Sequence, residues 1–161
     1  MDQTTKTGLL SVVLPSYNEE ASIPRAADTV SALLTEAGIP HEIIFVDDGS
    51  RDRTWETIQA QTQRYAQVRG VRFSRNFGKE AAIFAGLAQA RGACCVVLDC
   101  DLQHPPEKIV DMYRLWQQGY QVVEGVKASR GKENPLHTFA ARSFYSIISR
   151  ATGIDMSRAS D

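Results

Sequence analysis

In VVLDCDLQHPPE (Val96 to Glu107), an apolar run ends in two aspartates one residue apart. Residues i and i+2 of an extended segment point to one side, so Asp99 and Asp101 present their carboxylates together. Like charges this close repel unless one is protonated or a cation stands between them. Hard divalent cations such as magnesium or manganese take oxygen ligands, and Gln103 adds a neutral oxygen two residues on. For an isolated acid pair, helix capping or plain solvation is an equally good explanation. Here two other apolar runs also end in acids, and a divalent cation on Asp99, Asp101 and Gln103 becomes the favoured reading. Cys100, between the acids, points the other way and reads as packing.

The two other acid segments are PSYNEE (Pro15 to Glu20) and DDGSRD (Asp47 to Asp52). In the second, a turn at Gly49-Ser50 and a helix cap at Asp52 explain part of the pattern. They leave unexplained the consecutive acids Asp47 and Asp48, whose carboxylates could accept hydrogen bonds from a ribose hydroxyl or a base N–H. Tyr17 could stack on a base. In SRNFGKEAA (Ser74 to Ala82), Gly78 opens a helix with Lys79 in its first turn and Arg75 nearby. A helix start with basic residues is an anion site. A first-turn lysine opposes the helix dipole, which a diphosphate or Glu80 would relieve; phosphate is the favoured reading. Neither GxxxxGK[ST] nor GxGxxG occurs. His41, His104 and His137 lack metal-ligand spacing, and no Ser-His-Asp or Cys-His set can be assembled.

These residues need elements to hold them, and the chain alternates strand with helix. Strands are expected at Leu9 to Pro15, His41 to Asp48, Val68 to Phe73, Ala93 to Asp99 and Tyr120 to Val126. The third alternates in polarity and suits an edge; the fourth is the most apolar and suits the centre. Helices are expected over Glu19 to Ala37, from Asp52 with Trp55, Ile58 and Tyr65 inward, over Gly78 to Ala90, from Pro105-Pro106 to Gln118, and over His137 to Ala151. Lys127 to Asn134 reads as a loop. Such alternation gives an α/β, doubly wound, mostly parallel sheet with helices on both faces. Ligands bind such sheets beyond the carboxyl ends of the strands, where the acids lie.

The 161 residues make about one domain. A net charge of -1 offers no field for nucleic acid. The three cysteines, Cys94, Cys95 and Cys100, are odd in number and clustered, which suits reduced, buried thiols. No run approaches the roughly 18 apolar residues of a membrane span, and the first residues lack a signal pattern. The last residues, SRASD, carry no closing feature, and the chain is expected to be a truncated single domain.

VVLPSYNEE, IIFVDDGSRDRT, RNFGKEAAIFAGLAQARG and VVLDCDLQHPPE, in that order, resemble glycosyltransferase family 2 with its nucleotide-diphospho-sugar (GT-A) fold. NFGKEAA, DLQHPPE and VVEGVKASR are most similar to the polyprenyl-phosphate glycosyltransferases. The resemblance implies a nucleoside site at Pro15, Tyr17, Glu19 and Asp48 with Asp47 close by, and a DxD cation site at Asp99, Asp101 and Gln103. Lys127 stands where the family usually has an arginine, and bidentate phosphate binding would be lost. The loop 128–134 matches an acceptor-side loop. Ser160-Asp161 would begin a motif whose aspartate is the family's proposed base. The implied reaction is inverting transfer of a hexose, glucose, from a UDP-sugar to a polyprenyl phosphate at the cytoplasmic membrane face. The implied full-length protein is membrane-associated through segments beyond this chain, and a second copy of the chain, in a homo-oligomer, is among the partners considered. Alternatives are a family 2 enzyme acting on a glycan hydroxyl, a nucleotidyltransferase, and a nucleotide-binding module inactive as this fragment. Nucleotide binding by the shortened chain is expected to be weak.

Overall fold

The computed structural model describes residues 8–125. By contacts the chain divides into two units, Met1–Glu124 and Gly125–Asp161. Four strands alternate with four helices: β1 (Leu10–Ser16), α1 (Ile23–Glu36), β2 (His41–Asp47), α2 (Thr54–Arg64), β3 (Val68–Arg72), α3 (Lys79–Gln89), β4 (Cys94–Val97) and α4 (Lys108–Gln117). The strands form one sheet in the order β3-β2-β1-β4, every pair parallel.

Strands buried on both faces need continuous apolarity, and LSVVLPS and HEIIFVD have it. Alternate residues serve opposite faces. Val12, Leu14, Ile43 and Phe45 join α1, α2 and α4 in one core cluster, while Val13, Ile44 and Val46 meet Ala82 of α3 in a smaller one. Gly86 lets α3 lie close on the sheet, because a Cβ there would stand 2.3 Å from Val13 Cγ1. On α1, Ile23, Ala26, Ala27, Val30 and Leu34 recur at helical spacing and are fully buried.

The fold class, the strand–helix order and the edge position of β3 follow the sequence expectation. Two strand assignments require correction. The run Ala93 to Asp99 yields only a short strand, β4 (Cys94–Val97), and among the described residues β4 pairs with β1 alone rather than standing at the centre. Cys95 and Val97 on one of its faces are exposed. Apolarity does not record a strand's lateral place, and among the described residues β1 and β2 hold the centre. Residues 120–125 form no strand, and Val122 is exposed; a strand-like run becomes a strand only with a ladder partner. Val126, the loop 127–134 and the helix expected over 137–151 lie outside the described residues.

Helix starts also shift. α1 begins at Ile23 because Pro24 favours the first turn, and Glu19 closes a preceding turn by accepting the Ser22 N–H at 2.9 Å. α2 begins at Thr54, whose N–H and hydroxyl both donate to Asp52 Oδ1 (3.0 and 2.6 Å), so Asp52 caps from just outside.

Candidate functional site

The carboxyl ends of β1, β2 and β4 and the start of α3 enclose a cleft of about 330 Å³. Pro15, Tyr17, Glu19, Asp48, Lys79, Asp99 and Asp101, all singled out from sequence, line it together. Asp47 and Gln103 do not, and Lys127 and Asp161 lie outside the described residues.

The consecutive acids at the end of β2 diverge. Asp47 is fully buried. Its Oδ1 accepts the Ser50 N–H at 2.9 Å, closing the turn, and its Oδ2 lies 3.4 Å from Arg72 Nε of β3. Asp48 bridges to the next helix, accepting the Phe77 N–H at 2.7 Å and the Gly78 N–H at 2.9 Å on its two oxygens. It therefore sets where α3 starts and where Lys79 is rooted. The turn and the segment before α3 come close because residue 49 is glycine: its φ is +66°, and a Cβ would meet the Arg75 carbonyl carbon at 2.3 Å.

Beyond β4 the chain turns sharply. Leu102 takes a left-handed φ of 54°, uncommon for a bulky residue, and its N–H donates to the Asp99 carbonyl at 3.2 Å. Arg25 of α1 clamps this turn by donating to the Asp101 carbonyl at 2.6 Å. Asp101 Oδ1 accepts the Gln103 N–H at 3.1 Å, and the Gln103 side chain is exposed. Asp99 Oδ1 lies 2.6 Å from Lys79 Nζ, with the two side chains 39% and 57% exposed. Ion pairs this open contribute about 0–1 kcal/mol.

Cys100 packs inward as expected, with Sγ 3.0 Å from Ser16 Oγ and 3.7 Å from the Pro15 carbonyl. Burial pushes its thiol up to about 12, so it stays protonated. Burial likewise raises Cys94, to about 11. His41 Nδ1 sits 2.9 Å from the Ile39 carbonyl, away from the cleft.

Sequence reasoning missed a lattice that holds the first two acid loops together. Ser50 Oγ accepts the Asn18 N–H at 2.9 Å, and Asn18 Oδ1 accepts the Arg51 N–H at 2.9 Å. Thr54 Oγ1 accepts the Glu19 N–H at 2.7 Å. Glu20 Oε2 accepts the Arg53 N–H at 2.9 Å, and Asp52 Oδ2 accepts the Glu20 N–H at 3.3 Å. These bonds fix the backbone of Tyr17 and Glu19 at the cleft mouth. Asn18, at φ 55°, carried a faint signal, since asparagine tolerates that conformation.

Among the described residues, four carboxylates (Glu19, Asp48, Asp99 and Asp101) and one ammonium (Lys79) thus line the cleft. Among the described residues no three His, Cys, Asp or Glu side chains converge as a ready metal cage. The donors fit a different kind of cation site. Magnesium-like ions bind through one or two carboxylates and complete their shell with water and substrate phosphate, and Asp99 and Asp101 supply two oxygen donors of that chemistry.

A parallel α/β sheet with an acid-lined cleft beyond its strand ends is the GT-A arrangement. A mannosyltransferase from Pyrobaculum calidifontis, solved with GDP-Man and Mn2+, superposes on 71% of the chain and 33% of its own (TM-score 0.58, 22% identity). Mannosyl-3-phosphoglycerate synthase from Rubrobacter xylanophilus superposes on 58% of the chain and 30% of its own (TM-score 0.50, 24% identity). The sequence model of glycosyl transferase family 2 matches residues 11–158, and the chain belongs to that family. An undecaprenyl-phosphate 4-deoxy-4-formamido-L-arabinose transferase of Pseudomonas aeruginosa is 42% identical over 149 residues, 92% of this chain and 44% of that protein. An uncharacterized glycosyltransferase of Synechocystis is 40% identical over 145 residues, 90% of this chain and 46% of that protein. The chain spans a little under half the length of these relatives. No helix among the described residues is long and apolar enough to cross a membrane.

Proposed function

We propose that the cleft binds a nucleotide sugar with a divalent cation, and that the protein transfers the sugar to a polyprenyl phosphate at the cytoplasmic face of a membrane. The observation that carries this is the convergence of Glu19, Asp48, Asp99, Asp101, Lys79 and the half-exposed Tyr17 in one cleft. Relatives named for transfer involving undecaprenyl phosphate support the acceptor class.

In this reading Tyr17 stacks on the base, and Pro15, Glu19 and Asp48 meet the nucleoside with Asp47 behind them. Asp99 and Asp101, with Gln103 at the rim, hold magnesium or manganese. When bound, the cation offsets the charge that builds on the leaving diphosphate. Lys79, and Lys127 from outside the described residues, add positive charge to the same phosphates. An oxygen of the acceptor phosphate forms a bond to sugar C1 as the C1–O bond to the nucleoside diphosphate breaks, so C1 inverts and the diphosphate leaves. A phosphate monoester is largely ionised at neutral pH, its second pKa lying near 6. The acceptor needs little deprotonation, and Asp161 orients it.

Uridine as the base and a hexose, glucose, as the sugar belong to the same proposal and rest on the family resemblance. A relative named for a formamido-arabinose makes the sugar the first point to test. Calorimetric titration with UDP- and GDP-sugars, pentose and hexose, each with and without magnesium or manganese, is expected to show binding that requires the cation. Equal binding without the cation overturns the roles of Asp99 and Asp101.

A further inference from the structure

We propose that the Lys79 ammonium competes with the divalent cation for Asp99, and that a nucleoside diphosphate resolves the competition by drawing Lys79 from the carboxylate to its phosphates. This deepens the nucleotide-sugar reading and rests on it.

Lys79 Nζ stands 2.6 Å from Asp99 Oδ1. A magnesium-like ion on that carboxylate would sit about 2.0–2.1 Å from its oxygen. The ammonium and the ion would then be close neighbours of like charge, each lowering the other's occupancy. Among the described residues lining the cleft, Lys79 is the cationic side chain that meets a carboxylate of the proposed cation site.

The two ends of Lys79 behave differently. Its backbone follows Gly78, whose N–H, like that of Phe77, is held by the buried Asp48. Its head group is reached through a flexible four-carbon stem and is more than half exposed. The ammonium can therefore change partners while α3 stays in place. The pair it leaves is solvent-screened and weak. A diphosphate supplies new anionic oxygens for both the ammonium and the ion, and contacts of charge with phosphate are strong ones. Cation and nucleotide should thus bind with positive coupling, each raising the other's affinity by the same factor.

The test is Mn2+ binding by the 161-residue chain, read by electron paramagnetic resonance of the free ion, with and without UDP. Lys79→Gln is expected to tighten binding of Mn2+ alone by about fivefold and to weaken UDP binding in Mn2+ by about tenfold. Lys79→Arg, which keeps the charge, should stay close to wild type for Mn2+ alone. Lys108→Gln removes the same charge from an exposed pair with Asp111 on α4 and should change neither. Unchanged or weaker Mn2+ binding by Lys79→Gln, an equal gain in Lys108→Gln, or no Mn2+ binding by any of the proteins overturns the competition. If the wild type binds Mn2+ but no nucleoside diphosphate, the nucleotide-sugar reading fails, and the Mn2+-only comparison still decides whether Lys79 competes at Asp99.

Discussion

Asp48 shows how much a single carboxylate can organise. Both of its oxygens accept backbone N–H groups from residues about thirty positions away in sequence, and it is almost fully buried. Hydrogen bonds to a charged acceptor contribute about 1.5–3 kcal/mol each. In Asp48→Asn an amide donor would face one of those N–H groups. The variant is expected to lose about 1–3 kcal/mol of stability by urea denaturation, and its UDP affinity should fall as Lys79 loses its root. Unchanged stability would mean that Asp48 does not hold the start of α3. From sequence, Asp47 and Asp48 were visible as a pair without a structural explanation. That they divide the work, one closing a turn and one reaching across to α3, depends on partners their local spacing does not reveal.

At the scale of elements, the opposite end of the sheet from the cleft is held by one buried carboxylate. Glu42 of β2 accepts the Ser11 hydroxyl at 2.7 Å, the Arg91 N–H at 2.6 Å and Arg69 Nη1 at 2.8 Å, linking three strands and the end of α3. Burial alone would raise its pKa, but these donors together hold it below the usual 4.5. A carboxyl depressed on folding contributes stability above its unfolded pKa and loses it as pH falls through the lower folded value. Stability should therefore decline as pH drops below 4.5, and Glu42→Gln should flatten that decline while costing about 1–3 kcal/mol at neutral pH. Denaturation curves at neutral and acid pH check both parts; an equal acid slope in the variant would exclude Glu42 as the source. Gly86→Ala makes the second test. Alanine favours helix by up to about 1 kcal/mol, yet its Cβ would press on Val13 of the central strand at 2.3 Å. Overpacking costs about 1–3 kcal/mol, so thermal melting should fall; a rise would mean that α3 can lift off the sheet at no cost. Element order was readable because apolar periodicity is local. Helix starts moved by two to four residues where Pro24 and the Asp52–Thr54 cap decided the first turn. The pairing of β4 with β1 alone among the described residues and the lack of a strand at 120–125 were not readable, because lateral pairing leaves no mark on periodicity.

For the whole molecule, a ligand that binds only the folded state adds stability by mass action, about 2.7 kcal/mol at a hundred times its dissociation constant. UDP with Mn2+ should therefore raise the melting temperature by about 5–10 °C. Chelation of the metal should abolish the shift, and Asp99→Asn or Asp101→Asn should show little of it. A full shift in the presence of chelator would remove the cation from the site. The sequence by itself determined the α/β class, the run of strands and helices and the presence of acids where three strands end, because each is written in neighbouring residues. It also marked seven of the residues that line the cleft. Only the tertiary structure decided the strand order β3-β2-β1-β4, the bridge from Asp48 to the start of α3, the lattice around Asn18 and Ser50, and the meeting of Lys79 with Asp99. Those contacts join residues distant along the chain, and chain folding, not local pattern, brings such residues together.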